Sequence, residues 1–341
     1  MKKPQHLLLI FPFLLLGFFL NAQNGESLFD FISNLSEEIP VITLKTDSKQ
    51  LIRKKLAEEY QDAHLSFSDG KGGMIETVAE VRSRGNIRKE VCYFPPLKIK
   101  VKKKRLKTMG FDTINKLKLV LQCKSGKTGE AYLLKENLIY KLHQPIGPIS
   151  YRTKLIKIRL VRDEDKVEEL FAFLIEEEDN FAKRLDGAVV EFGRIPDRLV
   201  DRDSYLKMVF FQYMILNTDW YEYNKHNLEF IRPEGSDKFV IVPYDFDYSG
   251  MVGTSYSMPH PSRGISSVTE PCFLGKKVSL EEAKQTISYF LSKKEELYKI
   301  ANAYSHLESK QKAMIISYLD DFFETIGDDR RISRNFVTLD D

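Results

Sequence analysis

Two neighbouring segments of the sequence carry carboxylate and amide side chains that could bind a divalent cation. Asp219 follows a strongly apolar run, and Asn227 lies eight residues later. Asp245 and Asp247 follow a short run in which apolar residues alternate with others. Hard cations such as Mg²⁺ and Mn²⁺ take oxygen ligands, which Asp and Asn side chains supply. We therefore predict that Asn227, Asp245 and Asp247 are metal ligands.

The same residues also have a structural interpretation. Asp219 and Asp245 could be turn aspartates, Asn227 could cap a strand, and Asp247 could cap the Ser249-Gly250 turn. Their order favours chemistry, because protein kinases place a catalytic aspartate, an asparagine and a metal-binding aspartate in this succession. We predict an ATP-dependent phosphotransferase with Asp219 as its base. A metal-dependent phosphoester hydrolase is the other enzymatic interpretation, because the same residues could activate water.

Basic residues that could contact nucleotide phosphates precede this acidic set. In kinases a lysine on a strand of the first lobe pairs with a helix glutamate. Lys98 and Lys100 share the polar face of a predicted strand, and Glu136 and Glu130 lie on the next predicted helix. We predict that one of the two lysines contacts phosphate and pairs with one of these glutamates. The alternative is that this lysine-rich strand simply presents a solvated face.

Two further segments could contact a nucleotide. Arg84-Gly85-Asn86 lies between predicted strands and could present backbone N–H groups to phosphate, or form a plain turn. Glu176 begins an acidic run, residues 176–179, that follows an apolar strand. It could contact the ribose or adenine side of the nucleotide, and the alternative is a solvated linker between two lobes.

The elements that must position these residues divide the chain into a strand-rich and a helix-rich part. Period-two alternation and apolar helical runs predict these elements. The predicted strands are residues 41–44, 75–81, 97–101, 117–121, 155–161, 170–175, 228–231 and 239–242. The predicted helices are residues 47–60, 131–142, 205–216, 280–303 and 308–326. We predict an α+β, two-lobed kinase-like fold, with a strand-rich N-lobe at residues 24–178 and a helical C-lobe at residues 179–341.

The N-terminal segment has the pattern of a cleaved signal peptide. A basic start, residues 1–3, precedes an apolar run at residues 7–20 and a small-residue exit ending at residue 23. The apolar run is shorter than the roughly 20 residues of a membrane-spanning helix. We expect export to the periplasm, the cell surface or the medium, with no stable transmembrane anchor.

Charge and cysteine content narrow the class further. Lys and Arg number 52 against 49 Asp and Glu, a net charge of +3, so we predict no nucleic-acid partner. The three cysteines are Cys92, Cys123 and Cys272. An odd count leaves at least one free thiol, and their spacing implies neither a metal site nor a disulfide framework.

These motifs resemble those of the CotH-type kinases, atypical protein kinases named for a bacterial spore coat protein. The resemblance covers residues 78–250 and is best from 203 to 250. It rests on Arg84-Gly85-Asn86, residues 133–138, residues 173–176, Asn217-Thr218-Asp219-Trp220, His226-Asn227 and residues 243–247. It implies that Asp219 is the catalytic aspartate, that Asn227 and Asp245 bind metal, and that Glu176 contacts the nucleotide.

Three features of the chain differ from the pattern of that family, one of which is Glu136 at a helix position that is often Asn or Asp in the family. Tyr93-Phe94-Pro95-Pro96 stands where the family usually has a lysine pair, and the segment from Asp219 to Asn227 is longer than in many members. Two hypotheses follow. The chain is an exported kinase that transfers phosphate from ATP to a protein or surface-polymer acceptor with Mg²⁺ or Mn²⁺. Alternatively, it is a catalytically weak or inactive kinase-like binding or structural protein of the cell envelope.

Overall fold

Seven strands from the first half of the chain close into a barrel. The computed structural model describes residues 25–338 except 148, 164, 165, 191, 192 and 194. The barrel strands are β1 (Val41–Lys45), β2 (Gln61–Ser68), β3 (Met74–Ser83), β4 (Leu97–Val101), β5 (Lys116–Leu121), β6 (Thr153–Asp163) and β7 (Lys166–Ile175). Their order is β1-β2-β3-β4-β5-β7-β6. Neighbours are antiparallel except β6 and β1, which close the barrel in parallel.

Alternating side chains explain why these segments form a barrel. In β4, Leu97, Ile99 and Val101 are buried, whereas Lys98 and Lys100 lie on the opposite face, as predicted. Strand β5 is buried on both faces: Leu117, Leu119 and Leu121 join the barrel core, and Val120 packs in a second core.

Five helices accompany the barrel, and helices dominate the rest of the described chain. The first five are α1 (Leu28–Ser33), α2 (Ser48–Arg53), α3 (Ile87–Val91), α4 (Lys103–Thr108) and α5 (Lys127–His143). The later ones are α6 (Glu178–Arg184), α7 (Arg202–Met214), α8 (Leu280–Ala303), α9 (Ser309–Ile326) and α10 (Asp329–Phe336). A small sheet of β8 (Ala188–Val189), β9 (Leu228–Arg232) and β10 (Val240–Pro243) lies among them, in the order β10-β9-β8.

The second core joins α5 to the helices of the second half. Helix α5 packs against β6 and β7 on one side and against α8 on the other. Helix α7 is apolar almost all round, and its buried residues belong to this core. It therefore gives the loop that follows it a rigid mount.

The α+β class is confirmed, although several elements differ from the predicted ones. Helix α2 ends at Arg53 instead of residue 60. Strand β2, which the sequence analysis did not predict, follows it, and its residues Ala63, Leu65 and Phe67 alternate into the barrel core. Helix α7 begins at Arg202 instead of residue 205. Asp201 caps it by accepting a bond of 2.7 Å from the Ser204 N–H.

One prediction about the cysteines was wrong. Cys92 and Cys123 form a disulfide bond, while Cys272 is a free thiol as the odd count requires. Cys92 directly follows α3 and Cys123 lies just after β5, so the bond ties this short helix to the barrel wall. Spacing along the chain did not reveal the pair, because barrel pairing brings the two segments together.

The predictions about membrane helices and about export concern different parts of the chain. None of the helices in the described ranges is long and apolar enough to cross a membrane. The signal peptide predicted for residues 1–23 lies outside the described residues.

Candidate active site

Six of the nine residues predicted to form a site line one cavity between the barrel and the helical part. The cavity has a volume of about 630 Å³. The six residues are Arg84, Glu136, Asp219, Asn227, Asp245 and Asp247. The barrel contributes apolar residues to the same wall, among them Val120 and Ile175. The cavity thus combines an apolar wall with a cluster of carboxylates.

A small hairpin places Asp219 and Asn227 side by side. Tyr221 and His226 exchange two backbone hydrogen bonds of 3.0 and 2.9 Å. The Asn227 amide then donates to the Asp219 carbonyl oxygen at 2.7 Å and to its carboxylate Oδ2 at 3.0 Å. His226 Nε2 lies 3.1 Å from the other carboxylate oxygen, and this hydrogen bond to Asp219 raises the pKa of His226. The Asp219 carboxylate is therefore held from two sides while 34% of the side chain stays exposed.

The end of α7 sets the position of this hairpin. The side chain of Asn217 accepts a bond of 3.1 Å from the Asp219 N–H, and its carbonyl accepts one of 3.2 Å from the Trp220 indole. Trp220 is buried in the second core, so it anchors the loop. Asp219 consequently starts from a fixed point at the end of a buried helix.

Asp245 is partly buried and has a left-handed backbone conformation. Its φ is 61°, and that of Asn227 is 55°, in the left-handed region that non-glycine residues rarely adopt. Such strain is concentrated at functional sites. The Asp245 N–H donates to the hydroxyl of Tyr140 on α5 at 2.9 Å. Burial, and then the negative charge of Asp247, raise the pKa of Asp245 to about 7.

Arg88 joins two of the predicted carboxylates, although the sequence analysis did not single it out. Its Nε donates to Asp247 Oδ2 at 2.8 Å, and its terminal nitrogen bonds Glu136 Oε2. The Tyr256 hydroxyl donates to the same Asp247 oxygen at 2.8 Å. Burial raises the pKa of Glu136 to about 8, although the charge of Arg88 opposes this effect. We call Arg88, Glu136, Asp245 and Asp247 the site cluster.

Sequence reasoning missed Arg88 for a physical reason. It lies on α3, a helix of five residues, which is too short to show a periodic pattern. Its partners are far along the chain: Glu136 is 48 residues away and Asp247 is 159 residues away. Its closeness to Arg84-Gly85-Asn86 is the one signal in the sequence that pointed to it.

The two predicted lysines lie apart from Glu136. Lys98 pairs with Glu177 at 3.3 Å, and Lys100 pairs with Glu80 at 3.3 Å. The expected ion pair of either lysine with Glu136 or Glu130 differs from the structure, in which Arg88 pairs with Glu136. The reason is topological, because α5 packs over β6 and β7 and not over β4, which carries both lysines.

A separate group of charges surrounds Glu177 at the junction of barrel and helices. Lys98, Lys116 and Lys118 all approach its carboxylate, at 3.3, 3.7 and 3.1 Å. We call these four residues the junction cluster. It lies along a cavity of about 590 Å³ that shares Asn224, Lys225 and Tyr244 with the active-site cavity. The two cavities therefore adjoin.

Glu176 is buried beside the junction cluster and is used structurally. Its carboxylate bonds both Arg152 and Arg184, with Arg184 Nε at 2.9 Å, and it accepts from Asn180 at 3.2 Å. These bonds fasten the end of β7 to α6. Its predicted contact with a nucleotide remains a prediction.

The residues at the cavity fit a divalent cation that is shared with a phosphate ligand. The described residues contain no cluster of three or more His, Cys, Asp or Glu side chains arranged as a metal site. Mg²⁺, however, is usually held by one or two protein carboxylates together with substrate phosphates. The amide nitrogen of Asn227 is engaged by Asp219, which leaves its oxygen as the metal-binding atom, and Asp245 supplies a carboxylate. The buried Glu136 Oε1, without a hydrogen-bond partner in the described ranges, offers a further oxygen nearby.

One comparison with known proteins matches more than half of this chain to a family. A protein-family model described as CotH kinase protein matches residues 96–311. The matched region includes Glu136, Asp219, Asn227, Asp245 and Asp247. Arg84 and Arg88 precede it. No curated protein matches the chain.

Two solved structures are remotely similar. One is the pro-inflammatory kinase CtkA of Helicobacter pylori, with a TM-score of 0.38 and 8% identity over 70% of this chain and 94% of that one. The other is a complex of the Shewanella oneidensis MR-1 toxin–antitoxin proteins HipA and HipB with operator DNA. It has a TM-score of 0.33 and 10% identity over 86% of this chain and 72% of that one.

Proposed function

We propose that this chain, which belongs to the CotH kinase protein family, transfers the terminal phosphate of ATP to a hydroxyl group of an acceptor. The observation that carries the proposal is the convergence of Asp219, Asn227 and Asp245 on one cavity inside the region that matches the family. In this proposal the barrel and the helical part act as the two lobes of a kinase, and ATP binds between them.

Asp219 is the proposed catalytic base. It would orient the acceptor hydroxyl and accept its proton, the role of the loop aspartate in kinases. The bonds from Asn227 and His226 fix the carboxylate, and its partial exposure leaves room for an acceptor. General-base assistance of this kind contributes roughly 10²–10⁴-fold to the rate.

Asn227 and Asp245 would hold Mg²⁺ or Mn²⁺. When bound, the metal neutralises charge on the nucleotide phosphates. Asp247 is the third predicted ligand, but its Oδ2 already accepts bonds from Arg88 and Tyr256. Its proposed role is therefore to position Arg88 and, through Arg88, Glu136.

Arg88 and Arg84 are the proposed cations of the first lobe. The Arg88–Glu136 pair takes the place of the lysine–glutamate pair of protein kinases. Arg84 lines the same cavity and is the residue proposed to contact phosphate. The junction cluster along the adjoining cavity would face the nucleoside side of ATP.

A second function is favoured by the position of the lysines. Lys98 and Lys100 pair with Glu177 and Glu80 and not with Glu136. This arrangement supports the hypothesis of a catalytically weak or inactive kinase-like protein of the cell envelope. Both functions retain the proposed export and a protein or surface-polymer partner.

The decisive experiment separates nucleotide binding from transfer. Thermal unfolding with and without ATP and Mg²⁺ measures binding, because a ligand of the native state raises stability by mass action. Labelled ATP with dephosphorylated casein as a generic acceptor measures transfer. Asp219→Asn should keep the ATP-dependent shift and lower transfer roughly 10²–10⁴-fold. The matched control is Asp237→Asn, at an exposed aspartate in the β9–β10 turn.

Each result has one interpretation. A shift without transfer in the wild type supports the inactive protein. Phosphate release that does not need an acceptor supports the hydrolase. Equal transfer by wild type and Asp219→Asn removes Asp219 as the base.

A further inference from the structure

A second cavity, here called the docking pocket, lies beside the hairpin of residues 221–226. Its volume is about 530 Å³. Its walls come from the Asp197–Leu199 turn, the start of α7, strands β9 and β10, and residues 276–277. Within the described chain, its lining contains none of the nine predicted site residues. It is therefore separate from the proposed site for ATP.

The hairpin tip forms a wall between the docking pocket and the active-site cavity. Glu222 and Tyr223 line the docking pocket, and the next two residues, Asn224 and Lys225, line the active-site cavity. The hairpin is the lengthened segment between Asp219 and Asn227. The additional residues thus build a surface that is continuous with the proposed catalytic base.

The floor of the docking pocket is apolar. Phe230 and Ile241 are almost fully buried beneath it, and Tyr205 is buried beside them. Ile195 and Val200 complete the apolar surface. A floor of this composition favours a bulky apolar group, because removing apolar surface from water stabilises a complex.

The rim of the docking pocket carries a net positive charge. Its cations are Arg198, Arg202, Lys238, Lys276 and Lys277. Its carboxylates are Asp197, Glu222 and Glu282. The difference, five cations minus three carboxylates, is +2. Internal pairs of Arg202 with Glu282 at 2.8 Å and of Lys276 with Glu222 at 3.2 Å account for part of both sets. Each pair contains one cation and one carboxylate, so the net charge of the rim stays +2 and favours an acidic ligand.

One polar atom in the wall calls for a hydrogen-bond donor. Glu222 Oε2 pairs with Lys276, and the Tyr205 hydroxyl lies beside the same carboxylate, but the buried Oε1 accepts no well-aligned hydrogen bond from the described residues. A buried acceptor without a partner costs free energy that a donor on a ligand would recover. A peptide backbone supplies such N–H donors along its whole length.

We propose that the docking pocket binds the acceptor as a peptide in which a bulky apolar side chain is flanked by Asp or Glu residues. The apolar side chain would occupy the floor, the acidic flanks would meet the cationic rim, and a backbone N–H would donate to Glu222. This inference rests on the proposed function and names the acceptor class as a protein.

The hairpin also limits where the acceptor hydroxyl lies in that peptide. Glu222 is three residues from Asp219 in the sequence, and three extended residues span at most about 10–11 Å. An extended peptide covers a similar distance in about three residues. The acceptor Ser, Thr or Tyr should therefore lie about three to five residues from the apolar anchor.

Fluorescence anisotropy with synthetic peptides tests the pocket without requiring catalysis. The probe is labelled Gly-Asp-Glu-Phe-Asp-Glu-Gly. One comparison peptide replaces the acidic residues by Lys and Arg, and another replaces Phe by Gly. We expect the probe to bind at least about fivefold more tightly than either. The double variant Arg198→Glu/Lys238→Glu should reverse the preference for charge. Lys299→Glu/Lys310→Glu, two exposed lysines on α8 and α9, is the matched control and should bind like the wild type.

A kinetic measurement links the pocket to the proposed transfer. An acidic peptide with a serine four residues after the phenylalanine is the acceptor. Arg198→Glu/Lys238→Glu should raise its KM at least about fivefold, leave kcat unchanged, and leave the thermal shift with ATP and Mg²⁺ intact.

The outcomes separate the two proposals. Binding of the acidic probe without any transfer would retain the docking pocket and reject the phosphotransferase. Transfer that is insensitive to the Arg198→Glu/Lys238→Glu change would retain the phosphotransferase and reject the docking pocket. Equal binding of all three peptides, or tighter binding of the basic one, would overturn the docking pocket.

Discussion

The site cluster and the junction cluster each bury one glutamate, and the two glutamates have opposite properties. Glu136 is 1% exposed and Glu177 is 3% exposed. Burial raises the pKa of Glu136 to about 8. Burial would also raise the pKa of Glu177, but a hydrogen bond with Glu178 and the charges of Lys118 and Lys98 hold it far below its ordinary value. Equal burial therefore does not decide the charge state.

The balance of neighbouring charges explains the difference. In the site cluster, Arg88 bonds both Glu136 and Asp247, while Asp245 adds a third, partly buried carboxylate. In the junction cluster, three lysines approach one glutamate. The site cluster sets three carboxylates against one arginine, so Glu136 and Asp245 tend to hold their protons until a cation binds, whereas the junction cluster sets three lysines against one glutamate that stays ionised. The first arrangement is suited to binding a metal, and the second to holding the two halves of the molecule together.

The largest loss of stability is expected from replacing Arg88, which pairs with two carboxylates of the site cluster. Arg88→Met leaves Glu136, Asp245 and Asp247 without their shared partner, and breaking a buried pair costs about 3–5 kcal/mol. Lys118→Met leaves Lys98 and Lys116 beside Glu177 and should cost roughly 1 kcal/mol. Urea unfolding at pH 8 measures both. The Arg88→Met cost should shrink at pH 5.5, where Glu136 and Asp245, with pKa values of about 8 and 7, are protonated. Equal costs for the two variants would contradict the comparison.

Removal of the disulfide should cause the second largest loss of stability, because the bond anchors the helix that carries Arg88. Cys92 and Cys123 are 31 residues apart, and closing a loop of this size restricts the unfolded chain by roughly 3–4 kcal/mol. The double variant Cys92→Ser/Cys123→Ser should lose about this stability in urea. Cys272→Ser, at the free thiol, is the control: it keeps the Cys92–Cys123 bond, should be as stable as the wild type, and should lose stability with reductant as the wild type does. A double variant as stable as the wild type would show that the bond does not hold α3.

The sequence predicted the residues that border strongly patterned elements. Asp219 follows the apolar run of α7, and Asp245 follows the alternating strand β10, so chain order alone placed them near each other. Period-two alternation likewise identified β4 and β5. Helix α2 was predicted too long because Lys- and Glu-rich residues 54–59 favour helix locally, whereas barrel pairing claims the following segment for β2.

Tertiary pairing determined the rest. Lys98 could be placed on the outer face of β4, but which helix covers that face depends on the order of strands around the barrel. Strand β7 lies between β5 and β6, so α5 packs on the far side of β5 from Lys98. Arg88 and the Cys92–Cys123 bond depend on the same closure. These contacts join distant segments, and no local pattern encodes them.

Metal binding should remove an intrinsic pH dependence of the site cluster. Asp245 and Glu136 have raised pKa values, so the folded state binds more protons than the unfolded chain. Their contribution therefore lowers the free energy of unfolding as pH rises from about 4 to 8. Mg²⁺ or Mn²⁺ with ATP should restore stability at pH 8, by roughly 2.7 kcal/mol at one hundred times the dissociation constant. Asp245→Asn should flatten the pH dependence and abolish the metal response. An unchanged metal response would remove Asp245 as a ligand.

The smallest effects on stability are expected from replacing Lys98 and Lys100 on β4. These variants test which of the two lysines contacts the nucleotide. Lys100 pairs with Glu80 on the barrel surface, where an ion pair contributes about 0–1 kcal/mol. Lys100→Met should therefore change neither stability nor the thermal shift with ATP and Mg²⁺ measurably. Lys98 is half-buried and lines the cavity that adjoins the active site. Lys98→Met should leave urea stability within about 1 kcal/mol, because Lys116 and Lys118 remain beside Glu177. If Lys98 faces the nucleotide, its loss should weaken ATP binding while Lys100→Met does not. Equal behaviour of the two variants would leave Arg84 and Arg88 as the cations that hold the phosphates.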